Sequence, residues 1–586
     1  MVASLHAGLL RAGSALVPLQ AGGQLPIDLS HWVIALLPIL ALLVLLVIFR
    51  LPADTAAAFA MFTAVVIALT VFRTPLLALS VAAAKGVWDA IGVLYVVWAA
   101  VLLYLITDRA GAMYTLRTRI QHYTDNELFL VLAFGWVFVG FLQGITGFGT
   151  PIAIVAPLML ALGVRARYAV AIPLIGHAWA NNFGTLAVAW FGARSVVDMQ
   201  APIATAVQAA LLHAIPIFGA GFAIAWLYGR TKALRHAWPM VVVVGSIQSI
   251  ALVVLVNYSR FISAFLASTL GMLSLYLLAR WGRYATQHEP FERPAMVESM
   301  GGAAATDGGR PVADGGTAAA DEPEPVMGFG ESLIPYAVLV AVALLAAIPA
   351  VSSFLGQFTF GFSFPAVSTG FLQHAAERPY SPLAVLSHPG TIILVGVLIA
   401  GFVYRSRGYY GRWRTVMEES PHVEEKPTIR RGAIQNGVPA SLAIILLVMM
   451  ARIMLDTGQI VVLARGIAIV VPPQIYLFIA NSIGVLGAFI TGSNTASNIL
   501  FAPLQSETAA SLGLSQPTVL AAQMTGGAFG NAISPSNVVL GTGTAGILGE
   551  EGDVLRITLP WVFIMFVLVG IATLLINGLV VVGGGA

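Results

Sequence analysis

Apolar residues run along this chain in long blocks, separated by short polar or basic stretches. A bilayer core of about 30 Å needs about 20 mostly apolar residues per helix. Blocks of that kind occupy residues 33–49, 54–72, 87–107, 128–142, 168–193, 201–228, 238–257 and 261–280. A second set covers 333–355, 389–404, 437–455, 475–490 and 554–582. Shorter apolar pieces lie at 76–84, 151–162, 458–471, 496–510 and 517–548. The pattern predicts an all-α polytopic membrane protein with about 11 to 14 transmembrane helices.

One long stretch, residues 282–331, interrupts this pattern. Within it Gly301–Pro325 is rich in Gly, Ala, Asp and Pro, and sets Asp307, Asp314, Asp321, Glu322 and Glu324 against Arg310. Such a composition cannot bury a core, so the stretch reads as a flexible cytoplasmic linker. It divides the chain into a first membrane half, 1–281, and a second, 332–586. Residues before about 30 are only weakly apolar. Met1–Leu10 lacks the basic start of a signal peptide and reads as a short tail or a surface helix.

Charge gives the orientation. Arg230, Lys232 and Arg235 share one loop. Arg280 and Arg283 follow two spans later, and Arg405, Arg407, Arg412, Arg414, Lys426, Arg430 and Arg431 two spans after that. The positive-inside bias places these loops in the cytoplasm, together with Arg109, Arg117 and Arg119. Tyr258–Arg260, Ala350–His388 and the N-terminus then face outside. The whole chain has 586 residues, 58% apolar and 9% charged, with a formal net charge of +3. Soluble proteins carry about a quarter charged residues, so a soluble fold, a disordered chain and a nucleic-acid-binding role are all excluded. There are no cysteines, which removes disulfides, thiolate metal sites and thiol nucleophiles.

Two places break the rule that a membrane helix runs uninterrupted: residues 140–151 (GFLQGITGFGTP) and 487–498 (GAFITGSNTASN). Two more follow, at 181–185 (NNFGT) and 531–537 (NAISPSN). The segments leading into the later pair can be laid on one another. With Ala171 on Ala521, Gly176 meets Gly526, Ala178 meets Ala528 and Asn181 meets Asn531 at one constant offset. The chain therefore reads as two pseudo-symmetric halves, each with a hairpin-like break and a later one. Unwound backbone at membrane depth must be buried in protein or line a polar cavity. Interrupted segments in corresponding places of two halves point to a transporter's binding site.

A half-helix N-terminus presents free N–H groups and partial positive charge, which suits a small carboxylate anion. Gln143, Thr146, Gly147, Thr150, Asn181, Asn182, Ser493, Asn494, Thr495, Asn531 and Ser534 supply amides, hydroxyls and flexible backbone at the four breaks. They are the candidate substrate-binding residues. Small residues at helix contacts also permit tight packing without any ligand. The repetition of the breaks favours a site.

The same residues carry a family likeness. Gly140–Leu158, Thr491–Gln505, Thr525–Ser536 and Gly546–Asp553 resemble signature stretches of the L-lactate permease family. The likeness covers most of the chain. It implies uptake of L-lactate, and of D-lactate or glycolate, by proton symport across the plasma membrane. The Ser493-Asn494-Thr495 triplet is also similar to the hairpin tip of dicarboxylate/sodium transporters in the wider ion-transporter superfamily. That resemblance implies a homodimer with re-entrant hairpins. The chain departs from the family pattern at Asn531, where a lysine is frequent, and at His177-Ala-Trp-Ala-Asn-Asn182.

Ionisable groups inside spans are functional candidates. His177, just before the 181–185 break, and Glu507, about three turns beyond the 487–498 break, are the candidate proton carriers. His213, followed by Pro216, reads as packing or a kink. Lys85 and Asp89 are expected to pair with each other, and Arg452 to snorkel to the outer surface. No acid, base and nucleophile cluster, phosphate loop or metal-ligand spacing is present, so no enzyme activity, cofactor or metal is expected. The expected partners are a small carboxylate, a proton and the lipid bilayer. Sodium coupling and an anion channel remain as alternatives, the latter because paired half-helices can form a filter.

Overall fold

The computed structural model describes residues 25–49, 51–121, 124–147, 149–285, 293–296, 306–307, 310–311, 324–419 and 428–583. The predicted tail Met1–Leu10 and most of the predicted linker 282–331 lie outside the described residues.

The apolar blocks become helices. In the first half these are α1 (Leu29–Val47), α2 (Ala53–Thr70), α3 (Leu76–Arg109), α4 (Ala112–Gln121) and α5 (Glu127–Leu132). A π-helical turn, Ala133–Phe138, joins α5 to α6 (Val139–Ile145). There follow α7 (Thr150–Ala161), α8 (Ala166–Gly176), α9 (Val188–Val196), α10 (Pro202–Leu255) and α11 (Arg260–Ala279). The second half has α12 (Phe329–Ser332), α13 (Ile334–Ala347), α14 (Pro349–Leu355), α15 (Pro389–Ser406), α16 (Tyr409–Glu419), α17 (Ile429–Asp456) and α18 (Gln459–Val470). It ends with α19 (Pro473–Thr491), α20 (Asn494–Leu512), α21 (Gln516–Gly530), α22 (Pro535–Thr544) and α23 (Glu551–Gly583). Among the described residues, ten helices are long and apolar enough to cross a membrane. The pieces predicted at 76–84 and 87–107 form the single helix α3. The block at 168–193 is broken between α8 and α9, a stretch that includes residues 181–185.

Helix α10 is not one rod. Gly229 and Arg230 have non-helical backbone angles, and Gly221 faces Val241 while Gly245 faces Phe218 across them. A straight helix would hold residues 20 apart at about 30 Å, so the chain doubles back there. Its arms, 202–228 and 231–255, are the two predicted spans. The basic turn between them marks the cytoplasmic side.

That turn orients both repeats. Arg283 donates to the carbonyls of Arg235 and His236. Arg293 pairs with Glu127 at the start of α5, and Arg165, between α7 and α8, bonds Ala295 and Met296. The segment from α5 to α7 therefore enters and leaves on the cytoplasmic side. The α20–α21 turn behaves oppositely. Gln516 bonds Asp198 and Gln200, which precede the other end of α10. Trp32, in the first turn of α1, donates to Leu463 of α18, and α19 starts beyond α18. The α20–α21 turn therefore lies at the opposite end of the bundle from the α7–α8 turn, so the two hairpins run in inverted directions.

Packing crosses the halves. α3 lies along α17, α10 on α21, and α8 on α23. The segment between α14 and α15 caps the outer side with two short antiparallel pairs, Thr359–Phe360 with Leu383–Ala384 and Val367–Ser368 with Gln373–His374. This cap changes two expected contacts. Lys85 pairs with Glu377 of the cap at 2.7 Å, not with Asp89, whose carboxylate accepts from Tyr380 instead. Arg452 does not snorkel. It pairs with Asp456 one turn away at 3.1 Å and lies over the Tyr380 ring. The cap supplies the partners that make burying these charges tolerable.

Candidate functional site

Each break is shorter or longer than its sequence block for a local reason. The first is confined to Thr146–Gly149, because α6 continues to Ile145 and α7 starts at Thr150. The outer hairpin turns within Gly492 and Ser493 alone. Both turns need glycine. Gly147 (φ +58°) and Gly492 (φ +70°) are left-handed. A side chain would collide with Thr185 at the first and with Ser536 at the second. The break after α8 is longer than 181–185. It runs through short 3₁₀ turns at Ala178–Ala180 and Thr185–Ala187, and Thr185, Leu186 and Ala187 are all left-handed. Left-handed non-glycine residues cost of order 1–2 kcal/mol each. The surrounding core holds them in place, since all three are buried. The break after α21 is a 3₁₀ turn, Asn531–Ile533, with α22 resuming at Pro535.

The four breaks converge. In α21, four consecutive residues touch four different elements. Thr525 meets His213 of α10, Gly526 packs on the Asn481 carbonyl of α19, and Gly527 faces the Asn494 amide. The Ala528 carbonyl accepts from Asn181 Nδ2 at 3.1 Å. Gly176 packs on the Gly135 carbonyl just as Gly526 does on Asn481, so the repeat predicted from sequence is also a repeat of contact. Asn182 Oδ1 accepts from Asn498 Nδ2 at 3.2 Å, tying the first half's long break to the outer hairpin. Gln143 Nε2 donates to Thr185 at 3.3 Å. Asn537 donates to Asn531, and Ser534 bonds Ser536 beside Gly492.

The predicted site residues separate by what their side chains do. Thr146 donates to the Leu142 carbonyl of its own helix. Ser493 caps α20 by accepting from the Ala496 N–H at 3.3 Å. Thr495 turns its methyl toward Gly192 of α9. Thr150 opens α7, its N–H donating to the Gly147 carbonyl. Asn494 differs from all of these. It is 3% exposed, and neither its amide nitrogen nor its oxygen has a protein partner. Asn182 Nδ2 and Asn498 Oδ1 are likewise buried and unpartnered. Buried amides without partners are costly unless something else completes them. Three such amides lie where the half-helices α7, α9, α20 and α22 begin, which makes the place fit to hold a small polar ligand.

Of the two predicted proton carriers, only His177 lies near the breaks. It is buried, with Nδ1 2.8 Å from the Pro173 carbonyl. Glu507 lies along α20 about 20 Å from the hairpin turn by helical rise. There it faces Arg465 of α18, away from the convergence.

A sequence profile described as L-lactate permease matches residues 31–580. The chain belongs to the L-lactate permease family. Its relatives include the L-lactate permease of Bacillus subtilis (strain 168), 26% identical over 572 residues, covering 92% of this chain and 95% of that protein. The glycolate permease GlcA of Escherichia coli (strain K12) is 25% identical over 571 residues, with coverage of 92% and 95%. Among solved structures, the YdaH transporter of Alcanivorax borkumensis shares 15% identity at a TM-score of 0.39, covering 84% of this chain and 87% of that one. Membership makes this chain a multi-pass permease of the cell membrane.

The permease also contains polar residues that the sequence reading passed over. Tyr476 donates to Gln505, Gln505 to the Ala480 carbonyl and to Gln523, and Gln523 to Ser497. Ser497 in turn donates to the Gly484 carbonyl. This network locks α20 to α19 and α21 behind Asn494. Its signal was in the spacing: Asn494, Asn498 and Gln505 share one face of a helix.

Proposed function

We propose that this permease imports L-lactate, and related 2-hydroxymonocarboxylates such as D-lactate or glycolate, together with a proton. The names of its relatives support the substrate class. The observation that carries the reading is the buried, unpartnered Asn494 amide among half-helix N-termini, with neutral side chains around it. Backbone dipoles and neutral donors attract one carboxylate without the deep trap that a buried arginine would make. An amide offers both a donor to the carboxylate and an acceptor to a 2-hydroxyl.

A sodium-coupled cycle is the second reading, because the unpartnered oxygens of Asn494 and Asn498 are cation ligands in kind. The deciding experiment is uptake of labelled lactate into proteoliposomes, with proton and sodium gradients imposed separately. A proton gradient alone is expected to drive accumulation, with glycolate competing better than acetate. Accumulation driven only by sodium would replace the proton reading. Equilibration without accumulation under either gradient would indicate a channel.

A further inference from the structure

Resting on the proton-symport reading, we propose that His213, on the first arm of α10 and outside all four breaks, is the residue that binds the coupled proton.

His213 has no exposed surface. Its Nδ1 lies 2.6 Å from the Ala209 carbonyl of its own helix and 3.1 Å from Thr525 Oγ1 of α21. These neighbours determine the tautomer. A carbonyl only accepts, and the Thr525 hydroxyl proton is committed to the Ala521 carbonyl at 2.8 Å. Both neighbours therefore face Nδ1 as acceptors, and the neutral ring carries its hydrogen there. Nε2 is left with a lone pair, buried and without a partner. It is a vacant proton-binding atom in the membrane interior.

Its place links it to the site. Thr525 is two residues before Gly527, on which Asn494 lies, so His213 and Asn494 pack on opposite faces of the one helix α21. On its other side the ring sits 5.8 Å from that of Phe183, the residue after Asn182. Among the described residues, the hydrogen-bond partners of His213 are Ala209 and Thr525, and it takes part in no ion pair. The charged groups on the helices packed against α10, or capping them, sit in their terminal turns: Glu127 of α5, Arg165 and Arg167 at the start of α8, Arg260 and Arg280 at the two ends of α11, and Glu551, Asp553 and Arg556 of α23. His177, just after α8, bonds the Pro173 carbonyl through Nδ1 in the same way, but its Nε2 is not among the buried side-chain atoms left without a partner, as that of His213 is.

The chemistry follows. When Nε2 takes a proton, the ring becomes a buried cation with no anion paired to it among the described residues. That state is costly alone. A carboxylate arriving at the breaks supplies the missing negative charge, so the proton and the anion each favour binding of the other by the same factor. When the carboxylate leaves, the Nε2 proton leaves with it and the ring returns to its neutral tautomer.

The test uses the full chain in proteoliposomes loaded with a pH-sensitive dye, comparing wild type with His213→Asn. The asparagine amide nitrogen takes the position of Nδ1 and keeps the donor to Ala209 and Thr525, but it cannot bind a proton. Wild type is expected to acidify the lumen when lactate is added outside. His213→Asn is expected to lose lactate-driven acidification and at least about tenfold of its proton-driven accumulation. It should keep lactate–lactate counterflow and lose the dependence of uptake on external pH. A variant that acidifies like wild type overturns the assignment to His213 while leaving proton symport standing. Loss of counterflow along with acidification, in a monodisperse protein, also overturns it, since the residue would then be structural. A wild type that takes up lactate without acidification overturns both this proposal and the symport reading.

Discussion

At the scale of single residues, the Ser493-Asn494-Thr495 triplet shows how far residue types alone can be read. The sequence marks all three as polar groups at a hairpin turn. Their roles diverge because one helical residue turns the side chain by about 100°. Ser493 is spent on its own helix, Thr495 faces α9, and only Asn494 is left with both polar atoms free. This separates binding from stability. Asn494→Ala removes no protein hydrogen bond, so thermal stability is expected to change by no more than about 0.5 kcal/mol. Lactate affinity is expected to fall tenfold or more, about 1.4 kcal/mol. Thermal unfolding and uptake kinetics of the purified variant check both. The reverse is expected for Tyr476→Phe, which orphans Gln505 Oε1 at 0% exposure. It should cost about 1–3 kcal/mol of stability and leave the lactate KM close to wild type.

At the scale of elements, apolar blocks foretold the helices well where burial follows period and length. At 168–193 His177, Asn181 and Asn182 mark a break, but the apolar pattern does not show that it continues through Leu186 and Ala187. The chain is held there in three left-handed residues that are not glycine. Propensity gives no sign of such a turn, because packing from other helices imposes it. Glycine turns were legible, and they allow a controlled comparison. Gly492 and Gly513 are both left-handed, at φ +70° and +66°, but only Gly492 abuts another element. Alanine at either position should cost about 1–2 kcal/mol from backbone strain. Gly492→Ala must also displace Ser536, and so is expected to abolish lactate uptake. Gly513→Ala, with open space around it, should transport at a rate close to wild type in proportion to the protein present. Equal loss of transport per molecule in the two variants would show that the tip contact with Ser536 does not matter.

At the scale of the whole molecule, the paired breaks were visible as an offset between the halves, but their relative direction was not. Counting spans could not supply it, because the re-entrant arms are as apolar as true crossings. The direction comes from contacts between distant residues: Arg165 with Ala295 and Met296 on one side, Gln516 with Asp198 and Gln200 on the other. Inverted hairpins give a symmetric reason for a site at mid-depth, since each approaches it from its own side of the bilayer. The absence of cysteine makes the arrangement directly testable. Ala161, at the end of α7, and Ser511, near the end of α20, are both exposed and hold corresponding places in the two hairpins. With the basic loops inside, a membrane-impermeant maleimide added to intact cells should label Ser511→Cys. It should reach Ala161→Cys only after permeabilisation. Labelling of both from the same side would mean parallel hairpins, and the half-helix N-termini would then not meet across the site as the contacts around Asn182, Asn494 and Asn498 require.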